Sequence, residues 1–267
     1  MNCSCCQRGR GVVDRVGIAH GVTTQARNNS EVRLSADLSG VSCWTTMSSD
    51  VTRMILIRHG QSASNAGGWL SGQETCGGLT DLGIAQAEAL RGRLAADPSM
   101  TPDVVLVSTM RRAVHTAEII SEPLGIVPEQ HGDLMERTSG EAEGMKIAEY
   151  TAKYGRAPWT DWENPLSPGG ESGYDFGERV LTATDRVVNE HRGKTVWVVC
   201  HGGVIIMSAA RRWPGASMDL SKLPVTSPQN TSVSEWHVDG ESNWRMASFN
   251  DQTHLVGITS GAANITG

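Results

Sequence analysis

The chain predicts an α/β protein built on a mostly parallel sheet, on three observations. Short continuous apolar runs at 54–57, 104–107 and 195–199 are rich in β-branched residues, the composition of strands buried on both faces. Each run passes directly into a loop or a helical pattern, and strand, turn, helix is half of a βαβ unit. Each also ends in reactive or cationic residues: Arg58-His59-Gly60, Ser108 to Arg112, and His201-Gly202-Gly203. Parallel packing brings such strand ends to one edge of the sheet, where ligands bind.

Residues 1–53 mix Asn, Ser, Thr, Gly and Arg without a sustained period of 3.6 or 2 and predict a disordered N-terminal extension. The alternative is that Met47 or Met54 is the true start. The first strand then runs from Met54, and Gly60 supplies a sharp turn out of it. Residues 61–78 hold Asn65 and five glycines and predict a long irregular loop. Thr80 is the natural N-cap of a helix striped by Leu82, Ala85, Ala89 and Leu94. Pro98 and Pro102 bracket its exit.

The run 104–107 ends at Ser108, and helical spacing resumes through Ala113, Val114, Ala117 and Ile120, with Arg111 and Arg112 in the turn. Residues 133–172 are polar and carry Gly, Pro and Trp, with a short helical piece near 145–154. Phe176, Val180, Ala183 and Val187 predict a helix over 175–191, stopped by Gly193. After the third strand, residues 204–211 read as a helix ended by Pro214. Residues 232–237 and 244–249 flank Asp239-Gly240 and predict an antiparallel hairpin. The organisation is an extension over 1–53, a domain over 54–255 and a tail over 256–267.

Composition narrows the function. With 267 residues, 39% hydrophobic and 19% charged, the chain has the balance of a globular protein with a full core. A net charge of −6 argues against nucleic acid or an anionic membrane as the main partner. No apolar run approaches the ~20 residues of a membrane span, and the start lacks the apolar core of a secretory signal. Cysteines 3, 5, 6, 43, 76 and 200 have no matching Cys/His pair at zinc-site spacing. They read as free thiols of a reducing cytoplasm, with no metal or cofactor expected.

A lone His after a strand is most often structural, and paired arginines at a helix start usually face solvent. His-Gly at two strand ends together with those arginines points to an anion-binding site. These residues carry a family resemblance. Arg58-His59-Gly60-Gln61-Ser62 with Asn65 resembles the nucleophile motif of the histidine phosphatase superfamily, the phosphoglycerate mutase-like proteins. Leu79-Thr80-Asp81-Leu82-Gly83, Ser108 through Arg112-Ala113 to Thr116-Ala117, Pro168-Gly169-Gly170-Glu171-Ser172 and Val199-Cys200-His201-Gly202-Gly203 are similar to its later motifs. Asn250-Asp251 with His254-Leu255 resembles its closing stretch. The resemblance covers about 54–255 and implies a three-layer α/β/α sandwich.

It also implies chemistry. His59 would attack phosphorus and form a phosphohistidine. Arg58 and Arg112 would clamp phosphate oxygens bidentately. His201 and Asn65 would donate to the same group, and Gly202 would offer a backbone amide. The family places a carboxylate between the second arginine and the last histidine, and Glu136 stands in the matching segment as the acid and base. Glu141 and Glu143 are its competitors. Arg111, His115 and Cys200 read as rim, structural and core residues, and Trp159, Trp162 and Trp213 as packing or pocket wall.

The expected activity is hydrolysis of a small phosphorylated metabolite. Phosphoglycerate mutase-type transfer is the alternative, because Glu136-Arg137 with Gly140 resembles the mutase acid segment. A non-catalytic phosphate-binding module is a third reading. The oligomeric state stays open, a homodimer included.

Overall fold

The protein is described by a computed structural model that covers residues 50–210, 212 and 227–258. Its sheet is built from β1 (Thr52–Arg58), β2 (Val104–Ser108), β3 (Glu129–His131), β4 (Thr195–Cys200), β5 (Val233–Val238) and β6 (Trp244–Asp251) in the order β3-β2-β4-β1-β5-β6. The pairings β3–β2, β2–β4 and β4–β1 are parallel, and β5 and β6 add an antiparallel hairpin at one edge. Six α-helices accompany the sheet among the described residues: α1 (Ala63–Gly67), α2 (Asp81–Ala96), α3 (Arg111–Ser121), α4 (Ile147–Tyr154), α5 (Gly173–Glu190) and α6 (Gly202–Ala210).

Alternation along the central strands splits the core in two. Met54 and Leu56 of β1 join Val196 and Val198 of β4 against Phe176, Val180 and Val187 of α5 and Val204 of α6. Ile55 and Ile57 join Val105, Val107, Trp197 and Val199 against Leu90 and Leu94 of α2 and Ala113, Ala117 and Ile120 of α3. Helices therefore cover both faces, which is the predicted three-layer α/β/α sandwich. Each fully buried Ile or Leu of β1 contributes roughly 1.5–3 kcal/mol by leaving water. A continuous apolar run, rather than an alternating one, is what a strand covered on both sides requires.

Several boundaries differ from the reading of the sequence. β1 starts at Thr52, two residues before Met54. The stretch 61–78 is not wholly irregular, because α1 lies within it. Ser62 Oγ accepts the Asn65 N–H at 3.2 Å while Asn65 Oδ1 accepts the Ser62 N–H at 3.2 Å, a reciprocal cap that nucleates one short helix. α5 begins at Gly173 because Ser172 Oγ accepts the Asp175 N–H at 3.0 Å. β3 has no counterpart in the sequence reading. Its three residues, Glu129, Gln130 and His131, are polar and lie on the sheet edge. Residues 1–49, Trp213 and Pro214 lie outside the described residues, as do 259–267 of the expected tail.

Candidate active site

The parallel triplet β2–β4–β1 delivers its carboxyl ends side by side, with Arg58 opposite Cys200 and Val107 opposite Val199. Arg58, His59, Ser108 and His201 therefore collect at one edge, and the first turn of α3 brings Arg112 to them. The sequence-based grouping of three strand ends holds in space.

His59 is buried, 3% exposed, and fixed from both sides. Its Nδ1 lies 2.7 Å from the Gly60 carbonyl, which can only accept, so Nδ1 carries the hydrogen and Nε2 keeps its lone pair. Arg112 Nε donates to that Nε2 at 3.0 Å. Burial, then the Arg112 and Arg58 charges, hold the His59 imidazole well below its ordinary pKa, against an opposing contribution from the Gly60 carbonyl. A neutral ring with an available lone pair is the result.

The backbone around His59 is held by residues the sequence reading gave no role. Thr116 Oγ1 accepts the Gly60 N–H at 3.0 Å and donates to the Arg112 carbonyl at 2.7 Å, tying the β1 end to α3. Asn230 Nδ2 donates to the His59 carbonyl at 3.0 Å, and the Thr231 N–H donates to the Arg58 carbonyl at 3.0 Å. Gly60 does not adopt a positive φ. Its lack of a side chain serves close packing instead, because a Cβ there would overlap the Gly83 carbonyl of α2. That contact gives the Leu-Thr-Asp-Leu-Gly motif a physical reason, since Gly83 must also clear Gln61.

Arg112 is 4% exposed, with Nη1 3.3 Å from Ser71 Oγ and 3.4 Å from Cys76 Sγ. Burial pushes the Cys76 thiol up, but the Arg112 charge together with hydrogen bonds from the Gly78 backbone and from Arg112 brings it below its usual pKa. Arg58 Nη1 donates to the Pro228 carbonyl at 2.5 Å, while its buried Nε has no hydrogen-bond partner. Burial lowers the Arg58 pKa to about 10, which leaves it charged at neutral pH. His201 is fully buried. Its ring lies 5.2 Å from that of His59, Nε2 meets Ser108 Oγ at 2.8 Å, and Nδ1 is buried without a partner. Burial, then Arg112, depresses its pKa as well. Two unpartnered buried nitrogens, one each on Arg58 and His201, are costly unless a ligand completes them.

Glu136 faces Arg58 and His59 in the same cavity. Oε2 accepts the Gly203 N–H at 2.9 Å and Oε1 accepts the Arg137 N–H at 2.9 Å. A Cβ on Gly203 would overlap Glu136 Oε1, so the second glycine of the His-Gly-Gly motif makes room for the carboxylate. Gly202 lines the cavity beside Arg58. The segment carrying Glu136 is clamped by Arg179, whose Nη1 donates to the Asp133 and Met135 carbonyls at 2.8 and 2.9 Å. Glu171 binds Arg179 through both oxygens at 2.7 and 2.8 Å and accepts the Thr138 N–H at 2.9 Å. Glu141 is exposed, and Glu143 accepts the Glu74 and Thr75 N–H groups at 3.0 and 2.9 Å, so neither competitor lines the cavity. Asn65 lines it, with Oδ1 taken by Ser62 and Asn230. Arg111 is exposed, and Trp159 and Trp162 stand in the cavity wall.

The cavity has a volume of about 500 Å³. Among the described residues no group of three or more His, Cys, Asp or Glu is placed to hold a metal ion, and no helix is long and apolar enough to cross a membrane.

Known proteins resemble this chain over most of its length. A metal-independent phosphoserine phosphatase of Arabidopsis thaliana is 32% identical over 216 residues, 79% of this chain and 86% of the relative. The solved structure of Bacillus stearothermophilus YhfR is 29% identical with a TM-score of 0.66, covering 76% of this chain and 99% of that one. A mycobacterial glucosyl-3-phosphoglycerate phosphatase solved with VO3 is 27% identical with a TM-score of 0.63, covering 74% of this chain and 98% of that one. The family model for the histidine phosphatase superfamily (branch 1) matches residues 54–252, the stretch that forms the sheet and the cavity, and the chain belongs to that superfamily.

Proposed function

We propose that the chain is a phosphomonoesterase that works through a phosphohistidine on His59 Nε2. One observation carries the reading: the Gly60 carbonyl fixes the proton on Nδ1 and leaves the Nε2 lone pair beside Arg112 in a cavity also lined by Arg58 and Glu136. In this reading the substrate phosphoryl group takes hydrogen bonds from Arg58 and Arg112 and replaces the contact between Arg112 and His59. Asn65 and the Gly202 backbone complete the binding shell. Ser108 Oγ, which accepts the Met110 N–H at 3.3 Å, can give its own hydrogen to His201 Nε2. That leaves an N–H at His201 Nδ1 for a phosphoryl oxygen.

His59 Nε2 then forms the N–P bond as the ester P–O bond breaks, and Glu136 gives its proton to the departing alkoxide oxygen. In the second step Glu136, now a carboxylate, takes a proton from water. The water oxygen bonds to phosphorus, the N–P bond breaks, and phosphate leaves with His59 restored. No step requires a metal, so activity should survive exhaustive dialysis against chelator. The proposed compartment is the cytoplasm, whose reducing conditions suit the buried free thiols Cys76 and Cys200.

Hydrolysis is favoured over transfer to a phosphoglycerate acceptor. The cations of 145–168 are engaged elsewhere: Lys146 with the Gly67 carbonyl at 2.6 Å, Lys153 over the Tyr154 ring, and Arg156 with Asp161. The test is capture of an acid-labile 32P-labelled enzyme from labelled substrate. Label should appear in the wild type and vanish in His59→Ala. Persistent label in that variant would place the intermediate elsewhere. Phosphate release from 4-nitrophenyl phosphate unchanged by added 3-phosphoglycerate would set hydrolysis apart from transfer.

A further inference from the structure

The cavity extends well past the phosphate end, and its outer walls have a character of their own. They are formed by Trp69, Leu70, Ile147, Trp159 and Trp162. The two indoles that face cations are held in place. Trp162 Nε1 donates to the Trp159 carbonyl at 3.0 Å, and the Arg137 guanidinium lies 5.0 Å from its ring centre. Lys146 Nζ sits 4.9 Å from the Trp69 ring centre. Rigid aromatic walls recognise apolar surface with little loss of conformational freedom.

Of the cations near these walls, Lys146 is exposed and donates to the Gly67 carbonyl at 2.6 Å, and Arg137 and Arg156 are turned toward the protein. Arg137, 8% exposed, donates from Nε to the Glu171 carbonyl at 3.1 Å and from Nη2 to the Asn164 carbonyl at 2.9 Å. Its Nη1 donates to the Asp161 carbonyl at 3.3 Å. Arg156 bonds the Pro165 carbonyl at 2.8 Å as well as Asp161. Beyond Arg58 and Arg112, which face the phosphoryl group, no described cation in the wall is left to meet a leaving group. The acidic residue that does face it is Glu136, which offers a second anion no positive charge in either protonation state. Among the described residues, a carboxylate taken into this space would be desolvated without a cationic partner.

We propose that the leaving group is an uncharged alcohol with a substantial apolar or aromatic body, and that the site discriminates against phosphomonoesters carrying a carboxylate. The inference rests on the phosphomonoesterase reading and adds its substrate class. A volume of about 500 Å³ accommodates a ring-sized group together with the phosphate.

The test compares kcat/KM for 2-phenylethyl phosphate, ethyl phosphate and O-phosphoserine on the full chain. All three release an alkoxide from a primary alcohol, so differences report recognition more than bond cleavage. The phenylethyl ester should exceed the ethyl ester by about tenfold or more, and phosphoserine should fall below the ethyl ester. Phosphoserine turned over as well as the phenylethyl ester overturns the inference. If that happens while phosphoenzyme labelling and 4-nitrophenyl phosphate hydrolysis are normal, the phosphatase reading survives and the substrate class alone fails. If no phosphoenzyme forms on any ester, both fail.

Ile147→Lys supplies a second arm, placing a free cation in the wall. It should raise the phosphoserine-to-phenylethyl ratio by about tenfold or more. That ratio, taken within one preparation, is insensitive to the folded fraction. An unchanged ratio in a variant that binds both esters contradicts the proposed wall.

Discussion

His59 and Glu136 depend on single atoms of neighbouring backbone. The proposed nucleophile requires Nδ1–H and a bare Nε2, and the Gly60 carbonyl at 2.7 Å imposes that tautomer. NMR of the imidazole nitrogens in the free protein should show His59 neutral and Nδ1-protonated at pH 5.5, because burial and two arginines disfavour its charged form. A ring titrating near its ordinary value of about 6.5 would contradict the site as drawn. Gly203 is the matching constraint on the acid. Gly203→Ala drives a methyl into Glu136 Oε1 and should lower kcat on alkyl phosphates by about 100-fold. 4-Nitrophenyl phosphate, whose leaving group needs no proton, should lose far less. Equal losses on both would mean that Gly203 serves the fold and not the carboxylate.

Among the elements, the segment around Glu136 has little regular structure, and α5 supplies its order. Arg179 spans the Asp133, Met135 and Glu136 carbonyls, and Glu171 locks the guanidinium while holding Thr138. Arg179 and Glu171 are thus positioning residues, acting on the proposed acid through the chain that carries it. Arg179→Met should reduce kcat for alkyl phosphates by about 10- to 100-fold, with KM little changed. The deficit should shrink as the leaving group becomes more acidic. A uniform loss across leaving groups would show general destabilisation instead. The Pro-Gly-Gly-Glu-Ser motif thereby has a use: its glutamate anchors the clamp and its serine caps α5.

For the whole molecule, buried neutral histidines couple stability to pH. His59 and His201 are held well below the ordinary imidazole pKa, and burial together with Arg93 lowers His254 to about 4. Above about pH 6.5 the unfolded chain's imidazoles are neutral too, and this contribution is fully present. As pH falls below that value the unfolded state takes up protons that the folded state refuses. Stability is lost at up to about 1.4 kcal/mol per buried group per pH unit until the folded pKa is reached. Denaturant titration should show a loss on the order of 2–4 kcal/mol between pH 7 and pH 5. A flat profile would mean these rings are charged in the folded state. The chain's start offers a second check on the proposed domain. Residues 47–267 should retain full activity. A start at Met54 removes the Thr52 and Arg53 contacts to Gly193, Lys194 and Glu235 and should cost about 1–3 kcal/mol. Lost activity in the longer truncate would give residues 1–46 a role in the domain.

Much of this was legible in the chain, because the signals were local. Unbroken apolar runs specify strands buried on both faces, and β1, β2 and β4 lie where 54–57, 104–107 and 195–199 indicated. Thr80 caps α2 as its hydroxyl position required. The strand-end motifs named Arg58, His59, Arg112 and His201, since a parallel sheet can only bring such ends together. What escaped lacked a local signature. β3 is polar because it is a short edge strand, and α1 rests on a reciprocal cap inside a glycine-rich stretch. Asn230 and Arg179 act through contacts 171 and 43 residues away in sequence, and Thr116, though part of a motif, showed its role only through a contact 56 residues away. The fold class and the candidate residues at the strand ends thus follow from periodicity and strand-end chemistry. The tautomer of His59, the position of Glu136 in the cavity with Glu141 and Glu143 outside its lining, and the apolar wall are visible only in the tertiary structure. Hydrogen bonding and desolvation between distant segments leave no trace in local sequence.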